Sequence, residues 1–302
     1  MNAEHVLGVD VGGNHVKMGF VDPEGNIHNF NSHYTKDFVA TGDFTDKLIQ
    51  TIQFNLLSYS QPVTKIGIGF PGTLSKDRNY TLNIPSLPEL LNAPTGQHLR
   101  AGLPECMVFL ANDAKAAAMG ELHFAATPPP DTFAFITLGT GIGSAYVQNR
   151  QIFVGEGNAL ELGHIVSRNG VVLEKNIGKQ GILNLAAVRL GTWAEPTVIS
   201  REKPLSATEM VVEANNGDAF CRSVFYEVGQ ILGEGLVALI RILDVNNILI
   251  GGGLSASWEF VRPGTENVLN AWLPPYYMDK LHMSKATLGN DAGLLGAASL
   301  CF

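Results

Sequence analysis

Residues 5–22 read HVLGVDVGGNHVKMGFVD, and the fold turns on how this stretch is read. Apolar, β-branched runs flank Gly12 and Gly13. Gly-Gly and Gly-Asn are favoured pairs in tight hairpins, so the stretch reads as two strands joined by a glycine turn. NIHNFNSHY at 26–34 supplies a third strand. The plan returns at 133–155, where FAFITLGTGIGSAYVQNRQIFVG is again strand, glycine turn, strand and further strand. A hairpin opening each half, followed by helices and strand-helix units, predicts an α/β protein of two related domains around a cleft.

The intervening segments fit that plan. Phe44, Leu48, Ile49, Ile52 and Leu56 recur at helical spacing in DFTDKLIQTIQFNLLSY (43–59), which predicts an amphipathic helix. KIGIGFPG (65–72) and MVFLA (107–111) read as short buried strands, the second feeding an alanine-rich helix within VFLANDAKAAAMGE (108–121). The proline-rich FAATPPPDT at 124–132 is the expected domain boundary. It separates a small N-terminal α/β domain, 1–123, completed by a C-terminal helix at about 290–302, from a larger α/β domain, 124–289. Helices fit SATEMVVEANN (206–216) and AFCRSVFYEVGQILGEGLVALIRIL (219–243), and NNILIGGG (246–253) is a strand. DAGLLGAASL (291–300) carries side chains small enough to pack tightly.

A formal charge of −8 argues against a nucleic-acid or anionic-membrane surface as the main partner, since either wants a clustered basic face. No apolar run approaches membrane-spanning length in this reading, and MNAEH leads straight into a strand pattern, so a cytoplasmic protein is expected. The three cysteines, Cys106, Cys221 and Cys301, lie far apart, which suggests neither a disulfide framework nor a thiolate zinc site.

Glycine clusters follow strands at Gly12 and Gly13, at Gly139, Gly141 and Gly143, and at Gly251 to Gly253. Glycine belongs where the backbone turns with positive φ or approaches another group without a Cβ in the way. Each of the first two clusters reads as a hairpin turn, or as a nest of amides for phosphate. Asp10 just ahead of the first turn and Lys17 just beyond it favour a magnesium-bound phosphate there, although a strand lysine is ordinarily a solvated side chain. Thr140 offers a hydroxyl in the second. The third, ILIGGGLSA, satisfies GxGxxA and keeps a dinucleotide site as a rival, whereas a Walker loop is absent. Asp113 has two readings, a cap at a helix entrance or a catalytic carboxylate. Glu161 and His164, at i and i+3, share a face on a helical turn, and a lone histidine there is as readily structural.

In order along the chain, GVDVGGNHVKMG, GIGFPG, LANDAKAAAMGE, LGTGIGSAYV, ELGH, ILIGGG and DAGLLGAA resemble the motifs of ROK-family sugar kinases, relatives of the actin and hexokinase superfamily. The likeness spans nearly the whole chain. It implies two ribonuclease-H-like, actin-like ATPase domains with ATP and a hexose meeting in an interdomain cleft. By this resemblance Gly12, Gly13 and Asn14 form one phosphate loop, with Lys17 beside it and Asp10 holding magnesium through water. Gly139, Thr140, Gly141 and Gly143 form the other, and Gly251, Gly252 and Gly253 lie against the nucleoside. Asp113 matches the general base, and Asn112, Glu161 and His164 match residues that hold sugar hydroxyls, with Gly72 lining the same pocket. A base at a helix N-terminus suits phosphoryl transfer, where catalysis is mostly alignment and charge stabilisation.

The chain departs from the family at GHIVSRNGVVLEKNIGKQGILN (163–184). Many ROK proteins carry a CxCGxxGCxE zinc stretch here. Aligning Gly178 and Gly181 with its glycines puts Lys175, Ile177 and Ile182 at the cysteine positions, which predicts no zinc site, with apolar contacts from the isoleucines in its place. Asn184 falls where a sugar-binding glutamate is usual, and Ser86 where asparagine is common. The resemblance implies an ATP-dependent, glucokinase-type hexose kinase and a homodimer. The alternatives are a kinase for an N-acetylhexosamine or fructose, polyphosphate as donor, or a non-catalytic sugar-binding or sugar-sensing protein. The ROK repressors carry an N-terminal helix-turn-helix, which is not expected here because the first strand pattern begins almost at once.

Overall fold

The computed structural model describes residues 4–40, 42–200 and 202–302. The chain divides into two units, one of Met1–Asp131, Ala145–Leu160 and Asn290–Phe302, the other of Thr132–Ser144 and Glu161–Gly289. Each is an α/β assembly, and the strands form two five-stranded mixed sheets.

The first unit opens with β1 (Val6–Val11), β2 (His15–Val21) and β3 (Ile27–Tyr34), then α1 (Thr35–Val39) and α2 (Phe44–Ser58). After β4 (Lys65–Phe70) come the two-residue β5 (Thr73–Leu74), the short β6 (Thr81–Asn83) and α3 (Thr95–Gly102), none of which the sequence expectation includes. β7 (Met107–Asn112) and α4 (Asp113–Phe124) complete this run. The sheet order is β3-β2-β1-β4-β7, antiparallel across the first three strands and parallel from β1 to β7.

Alternation sorts the two faces of this sheet. Leu7, Val9, Met18, Phe20, Ile66 and Ile68 turn into a core shared with Phe44, Leu48, Ile49 and Ile52, the apolar stripe of α2. On the other face Gly8 pairs with Gly19 on one side and with Gly67 on the other. Three glycines in a row leave a trough, and the last helix of the chain, α11 (Ala292–Ser299), lies in it. A Cβ on Gly8 would stand 2.6 Å from the Leu294 carbonyl, and one on Gly67 would overlap that of Ala297.

At the far end of β2, the Asp22 carboxylate closes a turn by accepting from the amides of Glu24 (3.1 Å) and Asn26 (2.8 Å), from Asn26 Nδ2 and from His28 Nε2. Burial alone would raise its pKa, but the Asn26 and His28 bonds outweigh it and hold the group at about 2. A depressed carboxylate stabilises the fold fully above its ordinary value of 3.8 and ceases to do so as pH falls through about 2. Asp22→Ala should therefore lower the unfolding free energy by about 1.5–3 kcal/mol at neutral pH. The gap between variant and wild type should shrink below pH 4, and urea melts at both pH values would expose a constant gap if this account is wrong.

The second unit is built around β8 (Phe133–Leu138), β9 (Ile142–Gln148), in which the boundary between the units falls, β11 (Asn247–Gly251) and β12 (His282–Lys285). With the two-residue β10 (Gln151–Ile152), whose residues are counted in the first unit, the sheet order is β10-β9-β8-β11-β12, parallel from β8 to β12 and antiparallel at β9-β10. Its helices are α5 (Leu173–Ile177), α6 (Lys179–Thr192), α7 (Ala207–Asn215), α8 (Ala219–Leu243), α9 (Trp258–Trp272) and the four-residue α10 (Pro275–Met278).

Asp218 caps α8 by accepting from Cys221 N (2.9 Å), and Asp244 ends it in the left-handed region at φ 49°. This helix corrects one expectation, because by length and composition its 25 residues could cross a membrane. Most of its apolar window is instead buried within the protein, and Gly229 and Gly264 let α8 and α9 cross backbone to backbone. The interspersed Arg222, Glu227, Glu234 and Arg241 concealed the run from a reading by apolar continuity.

Candidate active site

The first hairpin is closed by Gly12 N donating to His15 O (2.8 Å). Thr35 pins its carbonyls from outside, the hydroxyl donating to Gly12 O (2.7 Å) and the amide to Asn14 O (2.9 Å). Among the described residues no acceptor takes the amides of Gly13 and Asn14, which leaves two adjacent donors at an exposed bend. Neither glycine has positive φ. Close approach explains them, since a Cβ would stand 2.9 Å from His15 O at Gly12 and 3.2 Å from Ser86 Cβ at Gly13.

Asp10 sits opposite Lys17 at the end of β1, on the face that carries Gly8. Its carboxylate reaches the start of α11, where a Cβ on Gly293 would come 2.5 Å from Oδ2. Burial raises its pKa, and the Lys17 charge opposes that rise. Lys17 itself donates to Asn290 O (3.0 Å), so its ammonium helps seat the C-terminal helix.

The second hairpin repeats the pattern in the other unit. Gly139 N donates to Gly141 O (3.0 Å), Gly143 N to Thr137 Oγ1 (3.0 Å) and Ile142 N to Glu174 Oε2 (3.0 Å). Thr140 and Gly141 keep their amides unclaimed among the described residues. None of these glycines has positive φ either. At the third cluster Gly252 does, at +85°, and a Cβ on it would overlap the Leu138 carbonyl, while Gly253 faces open space. The antiparallel β9-β10 pair in this sheet departs from the all-parallel sheet of a dinucleotide fold.

Asn112, not Asp113, caps α4. Its Oδ1 accepts from Lys115 N (3.1 Å) and its Nδ2 donates to Gly72 O (3.0 Å), so one amide side chain fixes both the helix entrance and the turn after β4. The reading of Asp113 as the cap is corrected by one residue. Asn and Asp cap with similar preference, and β7 runs to Asn112, which leaves it the extended backbone a cap needs. Asp113 is the first helical residue, with Oδ1 accepting from Ala114 N (2.7 Å). Gly72 is at φ +89°, where a side chain would be strained and would overlap Asn83 O.

In the second unit Glu161 precedes the 3-10 turn 162–164, and its Oε2 lies 3.5 Å from His164 Nδ1. Asn184 is exposed on α6, its Oδ1 accepting from Gln180 Nε2 (2.9 Å). Ile177 and Ile182 are buried and Lys175 is exposed. Sequence reasoning missed Glu174, Thr35 and Thr137, single polar residues outside any motif, whose partners only the fold supplies. Among the described residues, one carboxylate-histidine group has metal-like spacing, Asp43, Asp46 and His98. Asp43 is the cap of α2, and His98 lies 3.0 Å from Asp46 as an exposed pair.

The sequence profile of the ROK family matches residues 6–302. A glucokinase from Thermotoga maritima is 30% identical over 98% of this chain and 96% of its own. The structure of a proposed sugar kinase from Cytophaga hutchinsonii superposes with a TM-score of 0.90 at 38% identity, covering 98% of this chain and 99% of that one. A ROK glucokinase from Streptomyces griseus, in complex with glucose and AMPPNP, superposes with a TM-score of 0.80 at 25% identity, covering 98% and 99%.

Proposed function

The chain belongs to the ROK family, as a sugar-kinase homologue without a clear cysteine-based zinc motif, and from that premise we propose that it phosphorylates a hexose or hexosamine with ATP. The reading finer than this is glucokinase-type transfer to a glucose-like hydroxyl. It draws on the Thermotoga maritima glucokinase and on the glucose held by the Streptomyces griseus enzyme. The observation that carries the proposal is the repeated bend. Each unit ends a strand in a glycine hairpin whose outer two amides are unclaimed among the described residues, Gly13 and Asn14 in one, Thr140 and Gly141 in the other. Adjacent backbone donors at a tight bend suit phosphate oxygens.

In this reading those bends bind the phosphates of ATP and Gly253 borders the nucleoside. Asp10 fits a magnesium ion held through water, being a carboxylate at the mouth of an amide-rich bend. The ion, when bound, neutralises charge on the phosphates. Asp113 accepts the proton of the attacking sugar hydroxyl, and the positive end of α4 favours its anionic form. Glu161 and His164 bind sugar hydroxyls. Asn112 acts mainly by holding Gly72 and the mouth of α4 together, since both ends of its amide are engaged. We read the two units as ribonuclease-H-like domains of a homodimeric enzyme.

The test is a coupled ADP-release assay over glucose, mannose, fructose, N-acetylglucosamine and N-acetylmannosamine, with ATP and with polyphosphate as donor. Turnover of at least one sugar with ATP and magnesium is expected. Sugar binding by calorimetry without turnover from either donor would make the chain a binding or sensing protein instead.

A further inference from the structure

The segment that stands where the family's zinc stretch would be has another attachment. Leu173 is fully buried and donates its amide to Ile165 O (2.9 Å), which anchors the short helix α5 behind the second hairpin. From there Glu174 reaches back thirty-two residues to accept the amide of Ile142 (3.0 Å). Gly141 lets that carboxylate come close, because a Cβ there would overlap Glu174 Oε2 where it now sits. Gly178 donates to Glu174 O (2.7 Å), and the Lys179 amide, in the first turn of α6, bonds the carbonyls of Gly139 (3.0 Å) and Thr140 (3.2 Å). On the opposite side of Ile142, its carbonyl packs against Gly163 of the ELGH turn, where a Cβ would overlap it, and Leu162 N donates to Ser144 Oγ (2.9 Å).

We propose that Glu174 is a positioning residue for nucleotide binding, holding the 139–143 bend in the one shape that leaves the Thr140 and Gly141 amides free for phosphate. The proposal rests on the reading of that bend as a phosphate loop. A nest of amides binds an anion only when its N–H groups converge. In a glycine-rich bend the backbone otherwise has many alternatives open to it. Glu174 removes that freedom by taking the inner amide, Ile142 N, while Lys179 takes the carbonyls. The acceptor oxygen does this work, because the bond it makes is to a neutral amide.

The test measures AMP-PNP binding by calorimetry, KM for ATP and kcat in wild type, Glu174→Ala, Glu174→Gln and Glu174→Asp. Loss of the acceptor in Glu174→Ala should weaken AMP-PNP binding and raise KM for ATP about tenfold, the upper end for one ordinary hydrogen bond. kcat at saturating ATP and sugar affinity without nucleotide should stay within about threefold. Glu174→Gln, whose carbonyl accepts the same amide, should restore wild-type binding, and Glu174→Asp, one methylene short, should not. If Glu174→Ala fails to fold, the contrast between Gln and Asp still decides. AMP-PNP binding in Glu174→Ala equal to or tighter than wild type would overturn the proposal, as would a Gln variant as weak as Ala. A wild-type protein that neither binds AMP-PNP nor turns over any sugar would remove the kinase reading itself, and the proposal with it.

Discussion

Asp113→Asn should lower kcat by about 10²- to 10⁴-fold, the usual contribution of a positioned general base, and leave the melting temperature where it was. The second half of that expectation follows from the capping geometry. Asn112, not Asp113, satisfies the Lys115 amide at the mouth of α4. The Asp113 oxygen that accepts from Ala114 N has a counterpart in asparagine. Asn112→Ala should show the reverse signature on stability, losing about 1 kcal/mol with the cap, and should also loosen the turn at Gly72. Sugar affinity in Asp113→Asn should change by no more than a few-fold, because proton acceptance belongs to the transition state. Steady-state assays, calorimetry and thermal melts on the two variants separate the roles. Turnover of Asp113→Asn within tenfold of wild type would remove Asp113 from proton transfer, whatever the melts show.

The largest stability effect is expected at Gly67. An added Cβ would overlap the Ala297 carbonyl and stand 2.7 Å from its carbon and 3.3 Å from Cys301 Sγ. Neither side can give way. β4 is an interior strand, paired to β1 and β7. α11 is held on its far side by α4, where a Cβ on Gly120 would already come within 2.8 Å of Gly296 N. Gly67→Ala should therefore destabilise the protein by about 3 kcal/mol or more, as overpacking against fixed backbone does. Gly69 is the internal control. It lies two residues along the same strand face, yet an added Cβ finds its nearest neighbour, Asp113 Cα, at 3.7 Å. Gly69→Ala should stay within about 1 kcal/mol of wild type, since alanine suits a strand better than glycine. Urea unfolding of the pair measures the difference directly, and equal midpoints would contradict this account of how the C-terminal helix is seated.

The local grammar of the chain was legible before any coordinates. The three opening strands, the helix over 44–58, the alanine-rich helix and the return of the hairpin plan at 133 are all present. Each rests on spacing that acts over a few residues: alternation in strands, a 3.6-residue stripe in α2, and glycine pairs that permit a tight reversal. The short elements were not legible. α1, α3, α5 and α10 have too few residues to display a period, and tertiary contacts fix them.

The candidate residues divide along the same line. The sequence by itself determined which residue types stand at the two bends and at the entrance of α4, because glycine between two apolar strand runs and a short polar residue at a helix start are patterns of neighbouring residues. Tertiary structure alone decided what each of them touches. It aligned Gly19, Gly8 and Gly67 into a trough through strand register, turned Lys17 toward Asn290, gave the cap to Asn112, and brought Glu174 to the amide of Ile142. Those pairings join residues distant along the chain, or depend on where one element stops, and a pattern read within a window of neighbours carries no record of either.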